Sequence, residues 1–555
     1  MSHPLFVKHQ VKLDAALQAI ANRGYWSAYS EMPSPKVYGE TAMADGQAAY
    51  EAHLGKKFEL DQPHVVGTHG GENSPFAGSL GIQYPVCETE GLVASAKAAM
   101  KSWQALGLEG RIGVCIEVLD RLNSQSFELA HAVMMTSGQG WMMAFQAGAP
   151  HAQDRGLEAV AYAYREQAFV PNESLWEKPQ GKNPPLVMKK HYELVGRGVA
   201  VVVGCGTFPT WNTYPGLFAA LSTGNAVIIK PHSNSILPAA ITVRTIRAVL
   251  AENGVDPNLV SLGVSPSHDA TQKLVTHPDV KSVDFTGSNT FGNWLIDNCR
   301  QANVYAELAG VNHIVIDSTD AYQAMLKNIA FTLSLYSGQM CTTSQVLMVP
   351  AGGIQTDEGH KSYDDVCADL AKAIDAFLAK SEVACAVLGA IQSKATLLRI
   401  EQANDGAMGK VILFSKSIEN PDYPKALVRT PVLIACDASD EAGYMQEQFG
   451  PISFVVKTAH TVASVALSER IVNTHGALTV GVYANNDAVI EAMTEATWRT
   501  KVALSINLTS GVFVNQSSAY SDYHGTGANP AANASYADSA FVANRFRVVQ
   551  RRYHV

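Results

Sequence analysis

From residue 197 onward the chain repeats one texture: a short apolar run rich in β-branched residues, then a helical stretch, then another run. RGVAVVVG, NAVIIKP, VSLGV, VKSVDFTG and NVYAELAG are the runs. LPAAITVRTIRAVLAENG is one of the helices between them, with Gly254 expected as its C-terminal cap. A strand with one wet face alternates apolar and polar residues; these runs do not, so both of their faces are covered. Strand–helix alternation of this kind builds a parallel sheet sandwiched by helices, which binds ligands at the carboxyl ends of its strands.

After residue 310 the alternation starts again in HIVIDSTD, VLMVP, VILFS, ISFVVKT and LTVGVYAN, implying a second α/β domain. The region from 90 to 170 reads instead as alanine-rich helix. Near the N-terminus Leu13, Ala16, Leu17 and Ile20 share one helical face, with Gly24 expected as the stop. YWSAYSEMPSPKVYG follows, and its Pro33 and Pro35 make it a loop draped over the body. The segment MKKHYELVGR and the tail FVANRFRVVQRR read as two strands, either of a protruding ribbon that joins subunits or of an ordinary sheet edge.

The 555 residues suggest about three or four domain-sized units. A formal net charge of −9 excludes the basic footprint that nucleic acid requires. No run approaches the ~18 apolar residues of a membrane span, and MSHPLFVKHQVKLDAALQAIA has no apolar core of a secretory signal. The eight cysteines include no C-x-x-C pair, so no metal site is signalled, and they read as free thiols in a reducing, cytoplasmic setting.

One of those cysteines is out of place. Cys341 lies in YSGQMCTTSQ, among small polar residues, whereas a core cysteine sits among apolar ones. Four other segments accompany it in order: GNAVIIKP with Lys230, VDFTGSNTFG with Gly287, Ser288 and Gly292, ELAG with Glu307, and EQFGP with Glu447, Phe449 and Pro451. The set resembles the aldehyde dehydrogenase superfamily, in which a spacing of 34 positions (341 − 307) between base and thiol is usual. The chemistry needs both groups. A thiolate makes the aldehyde carbon tetrahedral so that it can release hydride, and a carboxylate then activates water against the thioester that remains. Small neighbours leave room around the sulfur, and the Cys341 backbone N–H can donate to the oxyanion.

The resemblance implies an α/β architecture with a Rossmann-type parallel-sheet cofactor domain, a second α/β catalytic domain and a β-ribbon oligomerisation element. The expected bounds are an N-terminal extension over 1–60, a dinucleotide-binding domain over 61–178 and 197–309, a thiol domain over 310–520, and a ribbon from 179–196 and 535–555. By the same resemblance Cys341 is the nucleophile and Glu307 the water-activating base. Lys230 reaches the adenosine ribose, Ser288 faces the pyrophosphate, Glu447 binds the nicotinamide ribose, and Phe449 packs beside the ring; Gly287, Gly292 and Leu308 belong to the same cofactor site. Gly224 and Asn225 read as turn residues.

Three departures stand out. Ser233 replaces the glutamate that would repel a 2′-phosphate, so NADP is expected to be accepted and preferred, with NAD possible. Counting back from Lys230 without gaps, Thr207 takes the place of the family's oxyanion asparagine and Trp211–Asn212 falls out of register, although whether Thr207, Asn212 or the Cys341 backbone serves stays open. Ala309 replaces a glycine and narrows the path beside the nicotinamide.

Both ends of the chain, HxxxLDAALxAIxxRGYWSAYSEMPSPKVYGE and YSDYHGTGANPAANASYADSAFVANRFRVVQRR, are similar to those of phenylacetic-acid-degradation aldehyde dehydrogenases of the PaaN type. That resemblance implies a semialdehyde carried on a CoA thioester as substrate, and a homodimer or dimer of dimers. Two rivals share the fold: a CoA-acylating dehydrogenase, which a retained Glu307 disfavours, and a scaffold without turnover. The 521–534 loop reads equally as substrate mouth or plain surface, and His524 within it as a surface histidine, since nothing nearby in sequence supplies it a partner.

Overall fold

The computed structural model describes residues 3–536 and 538–555; Met1 and Ser2 of the expected extension and Ala537 of the expected ribbon lie outside it. The apolar runs after residue 197 form one five-stranded parallel sheet, in the spatial order Asn303–Glu307, Val280–Thr286, Val199–Val203, Ala226–Lys230, Val260–Leu262. Its central strands are buried along almost their whole length, as the unbroken apolar runs require. The helix Leu237–Glu252 covers one side, and Gly254 beyond its end takes φ 69°, the left-handed conformation expected of it.

The second sheet has seven strands, ordered Lys410–Leu413, Val432–Asp437, Ile452–Thr458, Val346–Pro350, His313–Ile316, Thr479–Tyr483, Ala503–Ile506. All its pairings are parallel except the first. Val432–Asp437 and Ala503–Ile506 were not anticipated. The third element is a three-stranded antiparallel ribbon of Phe546–His554, Asn183–Gly196 and Glu173–Gln180, so it begins at 173, six residues before the expected bound. The ribbon is rooted by a buried ion pair: Arg545 donates to Asp284 in the cofactor sheet at 2.8 and 2.5 Å.

The N-terminal residues are part of the body. Helix Pro4–Asn22 buries Phe6, Leu13, Ala16 and Ile20, and Lys8 and His9 reach Glu117 at 2.5 and 2.7 Å. It stops one residue before Gly24, at Arg23, whose φ is 57°. The following stretch is pinned where Ser27 Oγ and the Ala28 N–H donate to Asp154 at 2.6 and 2.9 Å, but it is not all loop: Pro35, tolerated in a first turn, opens the short helix Pro35–Tyr38.

The 521–534 loop is not plain surface. Its far end lies along the edge strand of the cofactor sheet, where Leu308 N–H donates to the Ala531 carbonyl at 2.7 Å and Asn533 N–H to that of Ala306 at 3.1 Å. Gly476, at φ 77°, permits this approach: a Cβ there would lie 2.1 Å from the Ala531 nitrogen. Any side chain would push the loop away from the strand that ends in Glu307. No helix among the described residues is long and apolar enough to cross a membrane.

Candidate active site

Cys341 is brought into place by an unusual piece of backbone. Tyr336 and Ser337 both have positive φ, 54° and 50°, and Gly338 follows at 64°. Left-handed conformations cost non-glycine residues roughly 1–2 kcal/mol each, so they persist only where side chains hold them. Here the Tyr336 hydroxyl donates to the Ser137 carbonyl at 2.5 Å, and Ser337 Oγ donates to the carbonyls of Gly389 and Arg429. A Cβ on Gly338 would meet the Gly450 carbonyl at 2.3 Å. The chain therefore turns sharply into 340–345, and Asn312 Nδ2 secures it by donating to the Cys341 carbonyl at 2.7 Å.

Glu307 closes the edge strand of the cofactor sheet and is buried, at 3% exposure. Its carboxylate, the Cys341 sulfur and a ring nitrogen of His524 lie within 4.8 Å of one another. His524 was expected at the surface; it is 4% exposed and its Nε2 lies 3.0 Å from Glu307 Oε1. Its partner stands 217 residues away in sequence, which is why no local reading finds it. The imidazole is held between rings, edge-on to Trp211 at 4.7 Å and stacked on Tyr536 at 5.5 Å. The other carboxylate oxygen of Glu307 is buried without a hydrogen-bond partner.

The electrostatics assign the resting protons. Burial pushes the Cys341 thiol well above its ordinary value, and the neighbouring Glu307 charge adds to this. Burial, the largest single influence, works to raise Glu307, but His524, with smaller contributions from Cys341 and Tyr536, outweighs it and holds the carboxyl below the usual range. The site therefore rests as a thiol facing a carboxylate. A carboxylate at this range can take the thiol's proton, or that of a water, as soon as an electrophile arrives.

Thr207 is not brought to this cluster. Its hydroxyl donates to Cys205 Sγ at 3.7 Å, its carbonyl accepts from Gln139, and it does not line the cavity before the thiol. Asn212 does line that cavity. Its Oδ1 accepts from the Cys205 thiol at 3.5 Å, and its Nδ2 is buried with no partner, which leaves a donor for an oxyanion. The gap-free count from Lys230 gives a position and not a reach: at that position Thr207 faces Cys205, and it is Asn212, five residues on, that faces the cavity.

The cavity holds about 620 Å³ and is walled by Trp26, Met143, Phe208, Trp211, Phe331 and Leu335 among others. A second, narrow opening, lined by Gly310, Thr343, Glu447, Phe449 and Gly450, shares Met340 with it. Desolvation pushes the Glu447 carboxyl up to about 7, against the opposing charge of Arg399. Arg399 donates to the Phe449 carbonyl at 2.8 Å, fixing that loop. Lys230 ends its strand, and burial lowers its ammonium; Ser233 is exposed just beyond.

Ser288 is exposed as the N-cap of helix Asn289–Asn298 and makes no side-chain cap bond, so its hydroxyl and the first-turn N–H groups are free for a phosphate. Gly287 and Gly292 act by packing: a Cβ on Gly287 would lie 2.7 Å from the Phe285 ring, and one on Gly292 would lie 2.0 Å from Leu308. Leu308 meets the expected cofactor site only through that packing, its N–H being taken by Ala531. Lys230 and Ser288, at and just beyond the carboxyl ends of their strands, and Glu447 at the narrow opening are residues that would suit a dinucleotide.

Residues 83–520 match the family model described as Aldehyde dehydrogenase family. The chain belongs to the aldehyde dehydrogenase family. A solved structure titled NAD-dependent aldehyde dehydrogenase, from Burkholderia multivorans, is 55% identical with a TM-score of 0.98, and the match covers 100% of each chain. N-succinylglutamate 5-semialdehyde dehydrogenase of Chromobacterium violaceum is 25% identical over 422 residues, 75% of this chain and 80% of that protein. Geranial dehydrogenase of Castellaniella defragrans is 25% identical over 303 residues, 53% of this chain and 58% of that one. The chain spans less than two thirds of the length of several curated relatives that it matches: 50%, 58% and 32% in three cases. The family match stops short of both ends of the chain. Trp26, His524 and Tyr536 all lie outside the matched residues, yet they touch the thiol cavity or the base.

Proposed function

We propose that the protein oxidises an aldehyde to its carboxylic acid through a thioester on Cys341, using a nicotinamide dinucleotide. What supports this is one juxtaposition: a thiol at the floor of an open cavity, with a buried carboxylate within 4.8 Å. Glu307 takes the proton as sulfur attacks, and Asn212 Nδ2 donates to the oxygen of the resulting thiohemiacetal. Lys230, Ser288 and Glu447 would hold a nicotinamide dinucleotide, which would supply the hydride acceptor. Once that first proton has passed to solvent, Glu307, fixed through Oε1 by His524, directs its free oxygen at the water that hydrolyses the thioester, and the acid leaves as Cys341 recovers its thiol.

Both NAD and NADP serve as cofactors. The 55% identical relative is titled NAD-dependent, while Ser233 leaves no carboxylate to repel a 2′-phosphate. The substrate is a semialdehyde carried on a CoA thioester, of the kind that aromatic ring cleavage produces. That rests on the similarity of both chain ends to the phenylacetic-acid-degradation type and on the semialdehyde dehydrogenases among the relatives. Two copies or more associate through the ribbon, whose Leu175, Leu186, Val548 and Val549 are exposed apolar residues on an unpaired element.

The test is a panel of semialdehydes, with and without CoA attached, assayed with each cofactor. Reduced nicotinamide formed without free CoA supports hydrolysis; an absolute requirement for free CoA would make the protein an acylating enzyme instead.

A further inference from the structure

The wall of the thiol cavity carries more information than its volume. Among the described residues that line it there is no lysine and no arginine. Its acids and bases, apart from the thiol, are Glu31, Asp154, His151 and His524, and both histidines are already committed. His151 lies 2.7 Å from Glu31 and His524 3.0 Å from Glu307. The nearby guanidinium groups do not line the cavity and are engaged elsewhere, although Arg155 Nε is left without a hydrogen-bond partner. Arg155 donates to Glu158 at 2.7 Å and to Ser517 Oγ at 2.6 Å, and lies against the Trp211 ring. Arg23 stacks on Tyr523 at 4.0 Å and donates to the Tyr520 carbonyl at 3.2 Å.

One side of that wall comes from the N-terminus. Tyr25, Trp26, Ser27 and Glu31 line the cavity, and all precede the family-matched residues. The segment is fixed at several points. Asp154 accepts from Ser27 and Ala28, the Tyr29 hydroxyl donates to Asp120 at 2.9 Å, and Trp26 packs edge-on to Tyr520 at 4.8 Å. Trp26 and Ser517–Ala519 thus face the apolar side chains Met142, Met143, Phe331 and Leu335 across one space.

We propose that this cavity admits only an uncharged chain, with Tyr25–Glu31 as its outer wall, so that a distal acyl group enters masked as a thioester, ester or amide and not as a free carboxylate. A carboxylate in this space would lose its water, find no cation, and sit beside Asp154 and the Glu307 charge. A masked acyl group loses nothing comparable. A thioester-linked semialdehyde therefore places its neutral chain inside the cavity and keeps any phosphates beyond the mouth.

This rests on the dehydrogenase reading above, and the experiment separates the two. The full chain, with its cofactor, is assayed on hexanal, adipic semialdehyde and the methyl ester of adipic semialdehyde. The ester is expected to react within about tenfold of hexanal in kcat/KM, and the free acid lower on the order of 100-fold. Equal kcat/KM for acid and ester overturns the inference while leaving the dehydrogenase reading intact; no turnover of any of the three overturns both. Two variants test the wall itself. Met143→Arg is expected to raise kcat/KM for the free acid relative to the ester by about tenfold or more. Trp26→Ala is expected to raise KM for hexanal several-fold more than KM for acetaldehyde. A Met143→Arg protein that oxidises hexanal but gains nothing on the acid, or a Trp26→Ala protein with an equal effect on both aldehydes, refutes the assignment.

Discussion

Replacing His524 by phenylalanine keeps a ring between Trp211 and Tyr536 but removes the group that holds Glu307. The carboxylate would lose its 3.0 Å contact at Oε1 while Oε2 is already without a partner, leaving a buried charge unsupported. A hydrogen bond to a buried charged group is worth about 1.5–3 kcal/mol. If that stabilisation acts on the base as it activates water, thioester hydrolysis slows about 10- to 150-fold. Hydride transfer precedes that step and should change less. The assay is rapid mixing with aldehyde, following reduced nicotinamide. A burst of about one equivalent per site is expected, then a steady rate reduced by that factor.

The pH profile gives an independent sign. In the native site His524 is the main influence holding the Glu307 carboxyl below its ordinary value against burial. Without it burial wins, the carboxyl moves up, and the acid limb of kcat shifts to higher pH, so the loss is greatest at low pH. His524→Gln, which keeps an N–H donor, should restore part of the rate. Unchanged burst, steady rate and pH limb in His524→Phe would refute the coupling of imidazole to base.

Three further outcomes follow from the geometry. Because the Glu307 charge adds to burial in raising the Cys341 thiol, Glu307→Gln should move alkylation of Cys341 by iodoacetamide to lower pH; a shift the other way contradicts the assignment. Asn212→Ala should cost about 100- to 1,000-fold in kcat, as loss of an oxyanion donor does, whereas Thr207→Ala should stay within a few-fold of the native rate in the same assay. Arg545→Met leaves Asp284 buried without its partner, so thermal unfolding should show a loss of about 3–5 kcal/mol.

The parallel sheets were legible because continuous apolar strands and their helices are local signals, and all the quoted runs became strands. Val432–Asp437 escaped because no strongly periodic helix marks its start; it follows the two-residue strands Ser417–Ile418 and Val428–Arg429. The thiol and the base could be found because the chemistry fixes residue type and spacing. His524 could not, since its meaning lies in a contact made across 217 positions by a loop rich in glycine and alanine. Thr207 and Asn212 show the limit of counting residues: only the fold reveals which amide or hydroxyl reaches the cavity. Trp26 escaped for a similar reason, because nothing in the extension announces that it lines the cavity of a thiol more than 300 positions away.

The most direct measurement is the mass of Glu307→Gln protein after incubation with hexanal and oxidised cofactor. Without Glu307 to take the thiol proton attack slows, but loss of its charge favours the thiolate, so attack persists while hydrolysis is blocked; the chain should gain one hexanoyl group, and peptide mapping should place it on Cys341. A stable acyl group on any other of the eight cysteines, or none at all while reduced nicotinamide accumulates without limit, would contradict a thioester at Cys341 resolved by Glu307.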